Sequence, residues 1–218
     1  MILSIPVSLR SDGSSSVIFG ISPCFIACRC RKIAAHFCAI CCREGKNVDL
    51  IVKKTGDELW EARHGDRSWR CAVGRGGIHL EKTEGDGVSP VGCWPIRHVY
   101  YRADRMERPA TALPCTPIDR LDGWCDAPSD PQYNRKVRLP YAASHEELWR
   151  EDEVYDIVVV LGHNDDPVVP GAGSAIFLHL ARENYSPTAG CAALSREDLL
   201  EFLARAEPSV RLCFSDTD

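Results

Sequence analysis

Asp156-Ile157-Val158-Val159-Val160-Leu161 is the most decisive stretch of this 218-residue chain. It is apolar almost throughout and rich in β-branched residues, with no alternation to a polar face. A strand covered on both sides reads this way, and it is expected at the centre of a sheet, within a strand spanning Val154 to Leu161. Around it lie shorter runs of β type, separated by clusters of Gly, Pro and Asp. Leu50 to Val52, Ser68 to Val73, Trp94 to Tyr101, Ala175 to Leu180 and Val210 to Phe214 read as further strands. One helix is signalled over Arg196 to Ala206: Ser195 can cap it, Asp198 sits in its first turn, Leu199, Leu200 and Leu203 form an apolar stripe, and Pro208 stops it. Between Pro109 and Pro140 the chain is rich in Pro, Asp and aromatic residues without periodicity, which predicts a long ordered loop near a functional surface.

Hydrophobic residues make up 44% of the chain, enough for one well-filled core. The net charge of -5 provides no basic field for nucleic acid or an anionic membrane. The expected partner is a small molecule or a polymer's repeat unit, and the expected state is a monomer. The first 47 residues differ from the rest, with six Lys/Arg against two Asp/Glu and six of the twelve cysteines between Cys24 and Cys42. Cys38-x-x-Cys41 has the gap that suits zinc, and Cys24, Cys28, Cys30 and His36 are further soft donors, but no second pair stands at matching spacing. The favoured reading is a disordered or non-native extension over 1–47, ahead of a catalytic domain over 48–218. Val17 to Cys28 is shorter than the roughly 20 residues that cross a bilayer and contains Pro23, so no stable membrane span is expected. No clear signal peptide is legible, because Arg10 and Asp12 separate two weak apolar patches. The scattered Cys71, Cys93, Cys115, Cys125, Cys191 and Cys213 read as small buried residues more than as a disulfide framework.

The segment that carries chemistry runs Ala175-Ile-Phe-Leu-His179-Leu-Ala-Arg182-Glu-Asn-Tyr185-Ser-Pro187-Thr188-Ala-Gly190-Cys191-Ala-Ala-Leu194. A strand ends in a histidine, and a turn ends in a cysteine. A thiol attacks as thiolate, and a histidine close in space promotes that form as an imidazolium partner. Gly190 allows backbone angles denied to other residues and leaves room for a substrate carbonyl beside main-chain amides, which are the oxyanion candidates.

A His, a turn, then Ser/Thr-x-Gly-Cys and an apolar residue resembles the signature of the YkuD-like L,D-transpeptidase family. Glu84-Gly85-Asp86-Gly87-Val88-Ser89-Pro90-Val91-Gly92-Cys93-Trp94-Pro95 is similar to that family's Gly-Asp-x-x-Thr-Pro-x-Gly-x-Phe/Tyr hairpin. The likeness covers residues 48 to 214. It implies a mainly β fold, a mixed β-sandwich with one or two short helices. It further implies Cys191 as nucleophile, His179 as proton donor and acceptor, and Gly190 in the oxyanion turn. Thr188 matches the signature's hydroxyl residue, and Thr188, Arg182 and His163 are the candidate substrate-binding residues. Many members carry His where this chain has Ala189, and Arg or Asn where it has Ala193. Arg182 or Arg196 is then the expected holder of a substrate carboxylate.

The activity implied is cross-linking of peptidoglycan stem peptides through a thioacyl-enzyme, in the cell envelope or periplasm, with no metal or cofactor. Water as second acceptor would make the same site an L,D-carboxypeptidase. A non-catalytic wall-binding module would keep the sheet and lose the pair. A papain-like enzyme would place Cys before His, and a caspase-like one would show Gln-Ala-Cys-x-Gly, which is absent.

Overall fold

The computed structural model describes residues 48–56 and 59–216. The Cys-rich stretch before residue 48, with its zinc reading, lies outside the described residues. The strands are β1 (Leu50–Lys54), β2 (Trp60–His64), β3 (Arg67–Cys71), β4 (Ile78–His79), β5 (Ser89–Pro90), β6 (Gly92–Tyr101) and β7 (Cys115–Pro117). They continue with β8 (Asp122–Cys125), β9 (Lys136–Arg138), β10 (His145–Glu147), β11 (Ile157–Leu161), β12 (Phe177–Leu180), β13 (Ala192–Leu194) and β14 (Arg211–Phe214). The helix α1 covers Arg196–Arg205. The fold is mainly β with one α-helix among the described residues, as expected.

The principal sheet has nine strands in the order β13-β12-β11-β6-β14-β1-β2-β3, with β7 paired to β6. Its two ends meet. Ala72, next to β3, exchanges both backbone hydrogen bonds with Ala193 of β13, at 2.9 and 2.8 Å. The sheet therefore closes on itself into a barrel-like sandwich, which removes both edges from solvent. A second sheet, β10-β8-β9, is built from the connection between β7 and β11.

Alternation along the central strand explains why two cores exist. All five residues of β11 are buried. Ile157, Val159 and Leu161 face the larger core, with Leu50, Val99, Leu178, Leu212 and the helix residues Leu199, Phe202 and Leu203. Val158 and Val160 face the other way, into a smaller core with Trp124, Leu148, Tyr155, Phe177 and Cys191. The second core exists because the small sheet covers the outer face of β11 and β12, and that cover turns an otherwise wet face into a cleft wall.

Several boundaries differ from expectation. The strand expected from Val154 begins at Ile157, because Glu153–Tyr155 form a 3-10 turn whose end, Asp156, is tied through its carboxylate to Arg105 and Arg196 at 2.7 and 2.6 Å. The strand expected from Ala175 begins at Phe177, since Ala175 sits at φ +52°, incompatible with a pleat. β2 goes unread because its sequence, Trp-Glu-Ala-Arg-His, turns only Ala62 and His64 fully inward. The span 109–140 is not one irregular loop: it holds β7, β8 and β9. The cysteine reading also needs one correction. Cys93 and Cys213 form a disulfide between β6 and β14. They stand directly opposite in the antiparallel register, where side chains are close enough to join, a proximity hidden by 120 residues of separation. Cys71, Cys125 and Cys191 are buried free thiols, and Cys115 is partly exposed.

Candidate active site

The period of two along β12 aims its histidine. Leu178 and Leu180 enter the larger core, so Phe177 and His179 point to the opposite face. β13 lies parallel to β12 with Ala192 opposite Leu178, which places Cys191 level with Phe177, one residue before the strand begins. His179 and Cys191 thus line one cleft of about 890 Å³, roofed by the small sheet and the chain that follows it.

The turn that presents Cys191 is held from three sides. Thr188 donates its N–H to Val73 and receives the Arg75 N–H, at 2.9 and 3.0 Å, which stitches the turn to the end of β3. The Thr188 hydroxyl donates to the Cys191 carbonyl at 2.7 Å and accepts the Gly190 N–H at 3.1 Å. Ser89, fully buried in the hairpin, donates to the Gly190 carbonyl at 2.8 Å while accepting the Gly74 N–H at 3.0 Å. Gly190 itself has φ +140°, and a Cβ there would stand 2.9 Å from the Val88 carbonyl oxygen, so both conformation and space require glycine. The hairpin keeps its shape because the Asp86 carboxylate accepts the N–H groups of Thr83 and Val88 at 2.7 and 2.8 Å and pairs with Lys82. Ser89→Ala is expected to cost about 1–3 kcal/mol in stability, because it orphans two buried backbone groups. A denaturation midpoint unchanged from wild type would refute that linkage.

Cys191 is 7% exposed. Its Sγ donates to the Ala175 carbonyl at 3.2 Å and lies 3.4 Å from the Phe177 N–H, which donates to it. Burial pushes its thiol up to about 12, and the Glu146 carboxylate adds to the rise. His179 is 5% exposed and its Nδ1 lies 2.9 Å from the Leu180 carbonyl oxygen. A carbonyl only accepts, so Nδ1 carries the proton and Nε2 keeps its lone pair. Burial lowers His179 to about 4, with the positive charges of Arg182 and Arg150 adding to the effect. The resting pair is therefore neutral thiol and neutral imidazole. The cause is desolvation, which penalises both charged forms.

The other expected residues are dispersed. Arg182 lies on the rim of the cleft, about half exposed, 3.5 Å from Asp152. Thr188 and Ala189 line the cleft, though the Thr188 hydroxyl is engaged within its own turn. His163 does not line this cleft: its Nε2 meets the Ala172 carbonyl oxygen at 3.0 Å and its ring packs edge-on against Trp94 at 4.7 Å. Arg196 is bound to Asp156 and lies away from the cleft.

Two groups were given no part in the site by the sequence reading. Tyr155 packs edge-on against His179, with ring centroids 5.3 Å apart, and donates its hydroxyl to Glu146 at 2.6 Å. Glu84 accepts from Ser174 at 2.7 Å and from Tyr133 at 2.5 Å. Both carboxylates line the cleft from segments remote in sequence, Glu84 from the start of the quoted hairpin and Glu146 from a stretch that nothing local marks. Among the described residues one set of donors, Asp49, Cys93 and Cys213, is close enough to share a cation, all within 4.8 Å. It is otherwise engaged: the sulfurs are joined and Asp49 pairs with Arg211 at 2.5 Å.

Among solved structures, the crystal structure of Mycobacterium tuberculosis L,D-transpeptidase 1 is 10% identical with a TM-score of 0.33, over 77% of this chain and 62% of that one. An L,D-transpeptidase from Mycobacterium smegmatis is 9% identical with a TM-score of 0.35, over 77% of this chain and 59% of that one. This chain thus spans about three fifths of the length of each. No curated protein matches the sequence. Residues 48–211, three quarters of the chain and the whole barrel up to the start of β14, match the YkuD family, and the chain belongs to that family of L,D-transpeptidase catalytic domains.

Proposed function

We propose that this protein is a cysteine acyltransferase that joins peptidoglycan stem peptides by L,D-transpeptidation. The family acts on peptidoglycan and works typically at the cell wall or in the periplasm. Among the described residues no helix is long and apolar enough to cross a membrane. The observation that carries the reading is the pairing of two buried groups in one cleft: a thiol parked on a carbonyl, and an imidazole whose Nδ1 proton is committed to Leu180, leaving Nε2 as base.

In the first step the Cys191 thiol turns from Ala175 and gives its proton to His179 Nε2. Its sulfur attacks the carbonyl of the diamino acid's L-centre in a tetrapeptide stem. The negative charge that develops on the carbonyl oxygen is held by main-chain N–H of the Gly190–Cys191 turn, with the Cys191 N–H foremost because the Gly190 N–H is already given to Thr188. As the C–N bond breaks, His179 returns the proton to the departing D-Ala amine, and a thioester remains. The side-chain amine of a second stem then attacks the thioester, losing its proton through His179, and the thiol is restored. Arg182, on the rim, is the cation assigned to a substrate carboxylate.

The test is incubation of the purified protein with tetrapeptide stems carrying a diamino acid. Mass spectrometry is expected to find cross-links between two diamino acids together with free D-Ala. Tripeptide and D-Ala without cross-links would replace transpeptidation by carboxypeptidation, and intact peptide would defeat both.

A further inference from the structure

Glu146 occupies a costly position. It lies at the roof of the cleft on β10, and one of its oxygens accepts the Tyr155 hydroxyl at 2.6 Å. Tyr155 is buried, and its ring packs on both His179 and Phe177, at 5.3 and 6.1 Å. That anchoring holds the carboxylate toward the cavity that Cys191 lines. No Lys, Arg or His among the described residues forms an ion pair with it. Arg150, the cation that acts on it most, is bound to Asp152 through two hydrogen bonds of 2.7 and 2.8 Å. The other acidic groups acting on it, Asp126 and Glu84, carry the same sign and line the same cleft, and the Asp126 Oδ1 is buried without a hydrogen-bond partner. Lys82, across the cleft, is paired with Asp86.

A partly buried carboxylate without a counter-cation is unfavourable, and one that faces a nucleophilic thiol also opposes thiolate formation. Both penalties vanish when a cation settles on it. The aliphatic lining of the same cleft, Val154, Ala175 and Ile176, suits the carbon chain behind a terminal amine. We propose that Glu146 is the anchor for a primary ammonium group of the substrate, and that its neutralisation by that ammonium releases Cys191 to ionise. This rests on the reading of Cys191 as the nucleophile of an acyl transfer between amine-bearing peptides. The free enzyme is kept unreactive, and the substrate's own positive charge switches the thiol on.

The test is alkylation of Cys191 by iodoacetamide in the full chain at fixed near-neutral pH and constant ionic strength, followed by mass spectrometry of the peptide that carries Cys191. n-Butylammonium chloride is expected to raise the wild-type rate saturably by roughly three- to tenfold, the effect of lowering a thiol's pKa by up to about one unit while it stays mostly protonated. n-Butanol and sodium chloride should do nothing. Glu146→Gln should start at the faster rate and ignore the ammonium. A flat wild-type response, or the same acceleration in Glu146→Gln, overturns the proposal.

A second arm identifies the ammonium's source. With a stem peptide as acyl donor, a fall in the ratio of amine product to hydrolysis product in Glu146→Gln assigns it to the acceptor. Slower D-Ala release at an unchanged product ratio assigns it to the donor. Unchanged behaviour in both respects counts against the anchor. Alkylation needs no acyl donor, so a protein that responds to ammonium yet cross-links nothing keeps this inference and loses the transpeptidase reading.

Discussion

Cys191→Ala is expected to abolish covalent labelling by a carbapenem, a β-lactam that acylates such cysteines in the family, and to lower peptide cross-linking by about 10³-fold or more. The β-lactam carbonyl stands in for the stem-peptide carbonyl, and ring opening leaves an ester-like thioacyl group on sulfur. A single mass increase on the intact protein, mapped to the peptide with Cys191, is the expected result. The other described free thiols are poorly placed to substitute. Cys71 is buried and does not border the cleft. Burial raises Cys115 and Cys125, and neither borders the cleft. The same adduct on wild type and Cys191→Ala would remove the nucleophile assignment. Loss of labelling with an unchanged melting profile would establish it, since the substitution deletes only a sulfur at the margin of the smaller core.

His179→Gln should slow carbapenem acylation by about 10²–10⁴-fold, the range for removing a general base. It should also change how stability depends on pH. An unfolded histidine titrates near 6.5, whereas burial, aided by Arg182 and Arg150, lowers His179 to about 4. Between those values the unfolded chain binds a proton that the folded chain refuses. Wild-type stability from this residue is therefore present above pH 6.5 and is lost as pH falls toward 4, by up to about 3 kcal/mol. Tyr155 packs on the ring and Asp152 acts on it through its charge, but Asp152 is held low by Arg150 and Tyr155 is raised well above its usual range, so neither titrates in that window. Urea midpoints at the two ends of the window should differ less in His179→Gln than in wild type. Parallel profiles would contradict the buried, neutral imidazole. The labelling rate of wild type should likewise keep its base form well below pH 6.5, with its acid limb near 4.

The unequal legibility of the site has a physical origin. That His179 and Cys191 line one cleft was readable because they sit twelve residues apart on one folded-back segment, where the Pro187 to Gly190 turn is visible as local chemistry. The hairpin around Asp86 was readable for the same reason, yet its main service was not: Ser89 fastens the carbonyl of Gly190, a contact across 101 residues. Glu146 comes from a stretch with no apolar period and Tyr155 from a run read only as strand, and their place in the cleft depends on the small sheet folding over β11 and β12. Residue type supplies the intrinsic acidity of the two groups, whereas burial acts against the charged form of each.

The run from Asp156 to Leu161, by its apolarity on both faces, determined that a central strand would be covered on two sides, and the Ser195 cap with its leucine stripe determined one helix. Spacing and turn chemistry singled out one cysteine and one histidine, and both line one cleft. Only the tertiary structure decided that the sheet closes through Ala72 and Ala193, that Cys93 joins Cys213, that His163 lies outside the cleft, and that Glu146 lies inside it. Local sequence carries propensity, period and turn chemistry, which act within a few residues. Closure, pairing and desolvation arise from groups brought together across tens or hundreds of residues, and their energies exist only once the chain has packed.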